Sequence, residues 1–182
     1  MKHHYSCLLI FSAMLITACS NHQKKSNNEG FEIDSIEAKE QKMRDAYEHD
    51  TIKIASENYY IEVHRQPSDS MPKVKNESGL GFTDNKITLT IKRANGLPFF
   101  HKTFKKIDFK HVVEADFMKD AILEGIVFDK VENGQFSFSG SVSYPQSDMF
   151  VAVRILVSRA GAVSIQKDEN ADIGSDEDSI AK

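Results

Sequence analysis

The sequence predicts a mainly β fold: an antiparallel arrangement of about eight strands, built as a β-sandwich or a curled, lipocalin-like barrel. Three observations point there. From Thr51 onward, apolar and polar residues alternate with period two. Short turn signals join the alternating segments: Ala94-Asn95-Gly96, Glu132-Asn133-Gly134 and Arg159-Ala160-Gly161. Twelve Phe and no Trp suit a core of Phe, Ile and Val. The fold class also includes an N-terminal helix and one short internal helix.

The chain opens with Lys2, His3 and His4, followed by 12 uncharged, mostly apolar residues, 7–18. As a helix this run spans about 18 Å, short of a hydrocarbon core of roughly 30 Å. It suits the apolar region of a secretory signal. The run ends Ile16-Thr17-Ala18-Cys19. Here the chain resembles bacterial lipoprotein precursors, whose lipobox is an aliphatic residue, two small residues and Cys. The resemblance implies cleavage before Cys19, lipidation of its sulfur and acylation of its new amine. The alternatives are an ordinary secretory signal and an uncleaved anchor. Ile16 is bulky where ordinary cleavage wants a small residue. Two or more hydrophobic signals hold a protein stably at a membrane, and a triacylated Cys19 supplies them. Cys7 leaves with the signal, so the 164-residue mature chain has no free thiol.

Residues 20–30 are polar and read as a flexible tether of at most about 40 Å. The resemblance implies that Ser20 permits passage to the outer membrane, facing the periplasm. Residues 31–49 read as a helical lead-in: Asp34 and Glu37 form a capping box, and Ile36, Met43 and Tyr47 share a face. The β domain is expected over residues 50–167. Its segments are 51–55, 58–65, 86–93, 97–104, 121–130, 135–144, 149–158 and 162–167. The 121–130 segment is apolar on both faces and predicts a central, doubly covered strand. The cleanest alternation is 135–144, with Phe136, Phe138, Gly140, Val142 and Tyr144 on one face. Two interruptions stand out: a 20-residue connection, 66–85, and a short helix near residues 114–119. Six acids make residues 168–182 a solvated tail.

The net charge is −4, moving to −5 when Lys2 is removed. No basic stripe argues for nucleic acid. From about Tyr47 to Asp168 the chain resembles a domain-of-unknown-function family of small envelope lipoproteins. The stretches that carry the resemblance are NKITLTIKR (85–93), FFHKTFKKIDF (99–109), ILEGIVF (122–128) and SYPQSD (143–148). It implies a fold and a location but no chemistry.

Two surface segments are candidate sites. The loop carrying Tyr144, Gln146 and Asp148 joins two strong strands and is either a structural turn or a recognition loop for a sugar or peptide. Lys102, Lys105 and Lys106, interleaved with Phe104 and Phe109, form either a basic-aromatic patch for anionic groups or an edge strand guarded by lysines. His64, His101 and His111 lack metal-ligand spacing. The tail run 168–174 approaches a calcium loop, but Ile173 stands where Gly must turn and Ser179 where Glu must clamp. No nucleophile elbow or phosphate-binding glycine loop is present. The expectation is therefore a non-catalytic binding or assembly module without cofactors, anchored through Cys19, with an envelope protein or glycan as partner. The alternative is a carrier of a small apolar ligand in a β-barrel cavity.

Overall fold

A computed structural model of the protein describes residues 40–169 and 171. The expected signal segment, Cys19, the expected tether and most of the acidic tail lie outside these residues. The described chain forms two four-stranded antiparallel sheets and one small hairpin. The first sheet has the order β1-β2-β5-β6, with β1 Ala46–Ile54, β2 Glu57–Pro67, β5 Asn85–Arg93 and β6 Pro98–Lys105. The second has the order β10-β9-β8-β7, with β7 Ile122–Glu132, β8 Gln135–Ser143, β9 Phe150–Val157 and β10 Val163–Lys167. Between β2 and β5 lie the short strands β3, Lys73–Lys75, and β4, Gly81–Thr83. A 3-10 turn, Lys106–Phe109, and the helix α1, Ala115–Asp120, connect the two large sheets.

The sheets do not close into a barrel; they pack as a sandwich. Alternation decides which face is inside. In β2, Tyr59, Ile61 and Val63 are buried, and in β5, Ile87, Leu89 and Ile91. From the second sheet, Phe136, Phe138 and Val142 of β8 meet Val153, Ile155 and Val157 of β9 in the same core. The Phe side chains on which a carrier cavity would depend are consumed by this packing. Tyr59 meets Phe136 edge-on at 5.2 Å, and Phe128 meets Phe138 at 5.6 Å. Phe104 and Phe109 are fully buried, 6.2 Å apart.

The turns have the expected chemistry. Asn133 and Gly134, with φ of 49° and 73°, form a two-residue hairpin turn between Glu132 and Gln135. Gly96 and Gly161 both have positive φ and close the β5–β6 and β9–β10 hairpins as the last residue of three-residue loops, each donating its N–H to the carbonyl three residues earlier, Arg93 and Ser158. Ala55 closes β1–β2 at φ 57°, a conformation that an L side chain resists.

Two expectations are corrected. The part of the helical lead-in that is described, residues 40–49, is not helical. It is extended and enters β1, where Tyr47 pairs with His64 and His49 with Glu62. The ladder with β2 satisfies the backbone groups that a helix would have satisfied locally. Strand β7 is an edge strand rather than a central one. Two irregularities in its pairing with β8 rotate its side chains, so apolar residues occupy both faces while Val127 remains 43% exposed. The 66–85 connection contains the β3–β4 hairpin. The short internal helix is present as α1.

Candidate functional site

One end of the sandwich carries a polar cleft. Three pieces of chain make its walls: residues 75–78 at the tip of the β3–β4 hairpin, Asp120 at the end of α1, and residues 144–147 in the β8–β9 loop. The cleft holds about 440 Å³ and is open to solvent. A smaller cleft of about 210 Å³ lies on the other side of Tyr144, Pro145 and Gln146, which belong to both. Met43, Phe82 and Ile122 give this second cleft an apolar floor.

The β8–β9 loop is held firmly. Its ends are joined by the Tyr144 N–H, which donates to the Met149 carbonyl at 3.0 Å. The Met149 N–H donates to Ser147 Oγ, also at 3.0 Å. Pro145 is buried. The Tyr144 ring stacks on Phe117 of α1 at 4.2 Å and 13°. Gln146 sits at φ 58°, uncommon for a residue that is neither Gly nor Asn. Such a backbone persists only where the surroundings over-determine it.

The hairpin wall is equally fixed. Asn76 Oδ1 accepts from the Leu80 N–H at 2.9 Å and the Ser78 hydroxyl at 2.8 Å. Its Nδ2 therefore faces outward, and it donates to Gln146 Oε1 at 3.3 Å. This single amide contact spans the two walls. The lead-in chain then ties the hairpin down. Gln41 N–H donates to the Gly81 carbonyl, and Thr83 N–H donates back to the Gln41 carbonyl. Glu40 accepts from Lys73 and from the Thr83 hydroxyl. Lys42 pairs with Asp69 at 2.5 Å. The bonds from Lys73 and Thr83 hold the Glu40 carboxyl below its usual range.

The hairpin is rooted in the sandwich by a buried polar cluster. Asp84, fully buried between β4 and β5, accepts at Oδ1 from the N–H groups of Asn85 (2.7 Å) and Leu123 (2.8 Å). Asn85 Nδ2 donates to the Leu123 carbonyl at 2.9 Å. Lys106, 8% exposed, donates to the Ala121 carbonyl, and its ammonium lies 3.6 Å from Asp84 Oδ2. Burial pushes the Asp84 carboxyl above the usual carboxylate range, against the pull of the Leu123 N–H and the Lys106 ammonium. Burial likewise pushes the Lys106 ammonium down. Desolvation is the largest influence on both, so this ion pair locates the hairpin at an energetic cost.

The structure distributes the sequence candidates unevenly. Tyr144 and Gln146 line the clefts; Asp148 is exposed at the loop's far side and lines neither. The basic-aromatic patch does not exist as a surface. Phe104 and Phe109 are fully buried, and Lys106 turns inward to Asp84. Lys102 lies over the Phe104 ring at 4.8 Å, leaving Lys105 exposed by itself. Lys106 keeps the inward phase of Phe100 and Phe104, and the 3-10 turn that begins there brings Phe109, three residues on, to the same buried side. The histidines are apart: His64 bonds Asp45 at 2.7 Å, His101 bonds Thr90 at 2.9 Å, and His111 is exposed. Asp168 pairs with Arg154 at 3.0 Å, while Asn170 and Asp172 of the tail run lie outside the described residues. Sequence reading missed Asp84, Asn85 and Asn76, all of which fall in or beside the 66–85 connection.

The profile of a protein family described as a domain of unknown function, DUF4738, matches residues 25–165. The chain belongs to that family. No curated protein matches it.

Proposed function

We propose that this DUF4738 member is a lipid-anchored envelope protein that acts as a non-catalytic binding module, with the Tyr144–Gln146 cleft as its binding site. One observation carries the binding half: Gln146, in a left-handed backbone conformation, contacts Asn76 across a cleft whose two walls are separately fixed. Loops braced on a rigid sheet are where binding residues concentrate. The lipobox-like Ile16-Thr17-Ala18-Cys19 supports the anchor, and Ser20 supports an outer-membrane location facing the periplasm.

Two measurements test the two halves. Cells fed an alkyne fatty acid label the wild-type chain, and Cys19→Ser abolishes the label and releases the protein from membranes. Retention of both by the variant overturns the anchor. For the cleft, hydroxyl-radical footprinting compares the protein in native envelope membranes with the purified protein. Tyr144 is protected in membranes, while Tyr60, on the outer face of the first sheet, is oxidised equally in both. Equal oxidation of Tyr144 removes the cleft from consideration.

A further inference from the structure

We propose that Lys106 and Asp84 condense, once the chain has folded, into an intramolecular amide that joins Lys106 Nζ to Asp84 Cγ and releases one water. The antiparallel β5–β6 ladder brings the two residues together. Lys86 pairs with Lys105, Asp84 stands just ahead of β5, and Lys106 follows β6 directly. Both are buried. Lys106 Nζ lies 3.6 Å from Asp84 Oδ2, beyond hydrogen-bond distance. A pair built only as a salt bridge would close to about 2.7–2.9 Å. Cγ is bonded to Oδ2, so a short swing of the lysine's terminal torsions brings nitrogen to carbon. Groups held in this way react as if at very high concentration.

The hydrogen bonds around the pair are already those of the amide. Asp84 Oδ1 accepts from the N–H groups of Asn85 at 2.7 Å and Leu123 at 2.8 Å. These donors stabilise the charge that gathers on Oδ1 in a tetrahedral intermediate, and afterwards they bond the amide carbonyl. Lys106 Nζ donates to the Ala121 carbonyl, a bond that the amide N–H keeps. Asp84 Oδ2 is buried and accepts no hydrogen bond from the described residues. It is the oxygen that departs.

The step balances within the pair. A proton first passes from the ammonium to the carboxylate. Burial favours the resulting amine and acid, since it pushes the Asp84 carboxyl up and the Lys106 ammonium down. The amine lone pair then attacks Cγ and forms the C–N bond. The C–Oδ2 bond breaks, and Oδ2 leaves as water with the carboxyl proton and one proton from Nζ. The Asp120 carboxylate, next in the chain to Ala121, acts on Lys106 and can relay that second proton. No oxidant, reductant or co-reactant is consumed. In open water, ionisation of acid and amine opposes condensation; here the ion pair that is lost is one that burial already disfavours. The product fastens the ends of the β5–β6 hairpin and the root of the β3–β4 hairpin through one covalent bond.

Peptide mapping of the full chain tests this. The protein is purified from cells, denatured, digested with trypsin and read by tandem mass spectrometry. Trypsin does not cut after an acylated lysine. The link therefore yields one branched peptide, residues 76–86 joined to residues 106–110, lighter by one water than the two together. Fragment ions place the bond between Asp84 and Lys106. Lys106→Arg keeps the charge and the donors but does not condense, and its digest contains residues 76–86 as a free linear peptide. The wild-type digest decides the matter even where the variant fails to fold. Free 76–86 peptide in place of the branched one overturns the proposal. A bond located at Asn85, with ammonia lost instead of water, overturns the assignment to Asp84. Water lost from an unbranched 76–86 peptide is a succinimide, and it overturns the link.

Discussion

The sandwich and the small end that carries the cleft are stabilised by different physics. Between the sheets, alternate side chains of β2, β5, β8 and β9 interdigitate, and the contacts are apolar. At the other end, the three-residue strands bury only the apolar side chains of Val74 and Phe82, against Ile122 of β7, and the remaining ties are ion pairs and single hydrogen bonds. Apolar burial is not screened by salt and carries no titration of its own, whereas exposed ion pairs are screened and titrate. The molecule thus places its adjustable region next to its cleft and its insensitive region behind it. The Asp84–Lys106 pair is the joint between the two.

That contrast can be broken from either side. The largest effects come from the interior and the joint. Phe138→Ala empties a fully buried site and destabilises the whole domain by about 3–5 kcal/mol in urea unfolding. A loss confined to the hairpin would contradict a single sandwich core. Lys106→Met leaves the Asp84 carboxylate buried without its counter-charge and costs about 3–5 kcal/mol near neutral pH. Because the folded Asp84 carboxyl already titrates above its ordinary value, the sign is fixed. The variant is most stable below the ordinary carboxylate pKa and loses stability as pH rises through the raised folded value. A midpoint that rises with pH in that window would refute the assignment.

Smaller effects sharpen the comparison. A Cβ at Gly140 would lie 3.1 Å from Val153 Cγ2 and 3.2 Å from the Gly125 carbonyl oxygen, so Gly140→Ala costs about 1–3 kcal/mol. Calorimetry showing no change would mean that β7 yields freely at its irregularity. Ala55→Gly relieves a positive φ and raises stability by about 0.5–1 kcal/mol, read as a small shift in the urea midpoint. Glu40→Gln leaves the global midpoint in place but speeds hydrogen exchange at the Thr83 amide. In the wild type this protection is present above the ordinary Glu pKa of 4.5 and is lost as pH falls through the lowered folded value.

The same division explains what could be read from the sequence. Strands β2, β5 and β8 each bury one face, so their alternation is written plainly in the chain. Strand β1 is an edge, and five of its nine residues, Tyr47 to Thr51, are exposed in succession. With so little to bury, its pattern lost period two, and the chance spacing of Ile36, Met43 and Tyr47 suggested a helix. Strand β7 misled in the opposite direction, because its irregularities present apolar residues to both faces. The loop bearing Tyr144 and Gln146 was legible as a turn between two strong strands. Its opposing wall was not, since Lys73–Lys75 and Gly81–Thr83 are too short to show any period. Lys106 stands in the inward phase of Phe100 and Phe104, but its charge hid that phase, because a lysine at the end of a strand reads as solvated.

The attachment of the lead-in chain has a mechanical consequence. Tension applied to the backbone ahead of Glu40 meets the two Gln41 hydrogen bonds and the Glu40 and Lys42 ion pairs before it meets β1. Lys73, Gly81 and Thr83 belong to the β3–β4 hairpin and Asp69 to the segment that leads into it, so a pull strains one wall of the cleft first. The other wall is continuous with β8 and β9 and does not share the strain. Among the described residues, the long Asn76–Gln146 contact ties the two walls together, and it is therefore the first to feel any relative displacement.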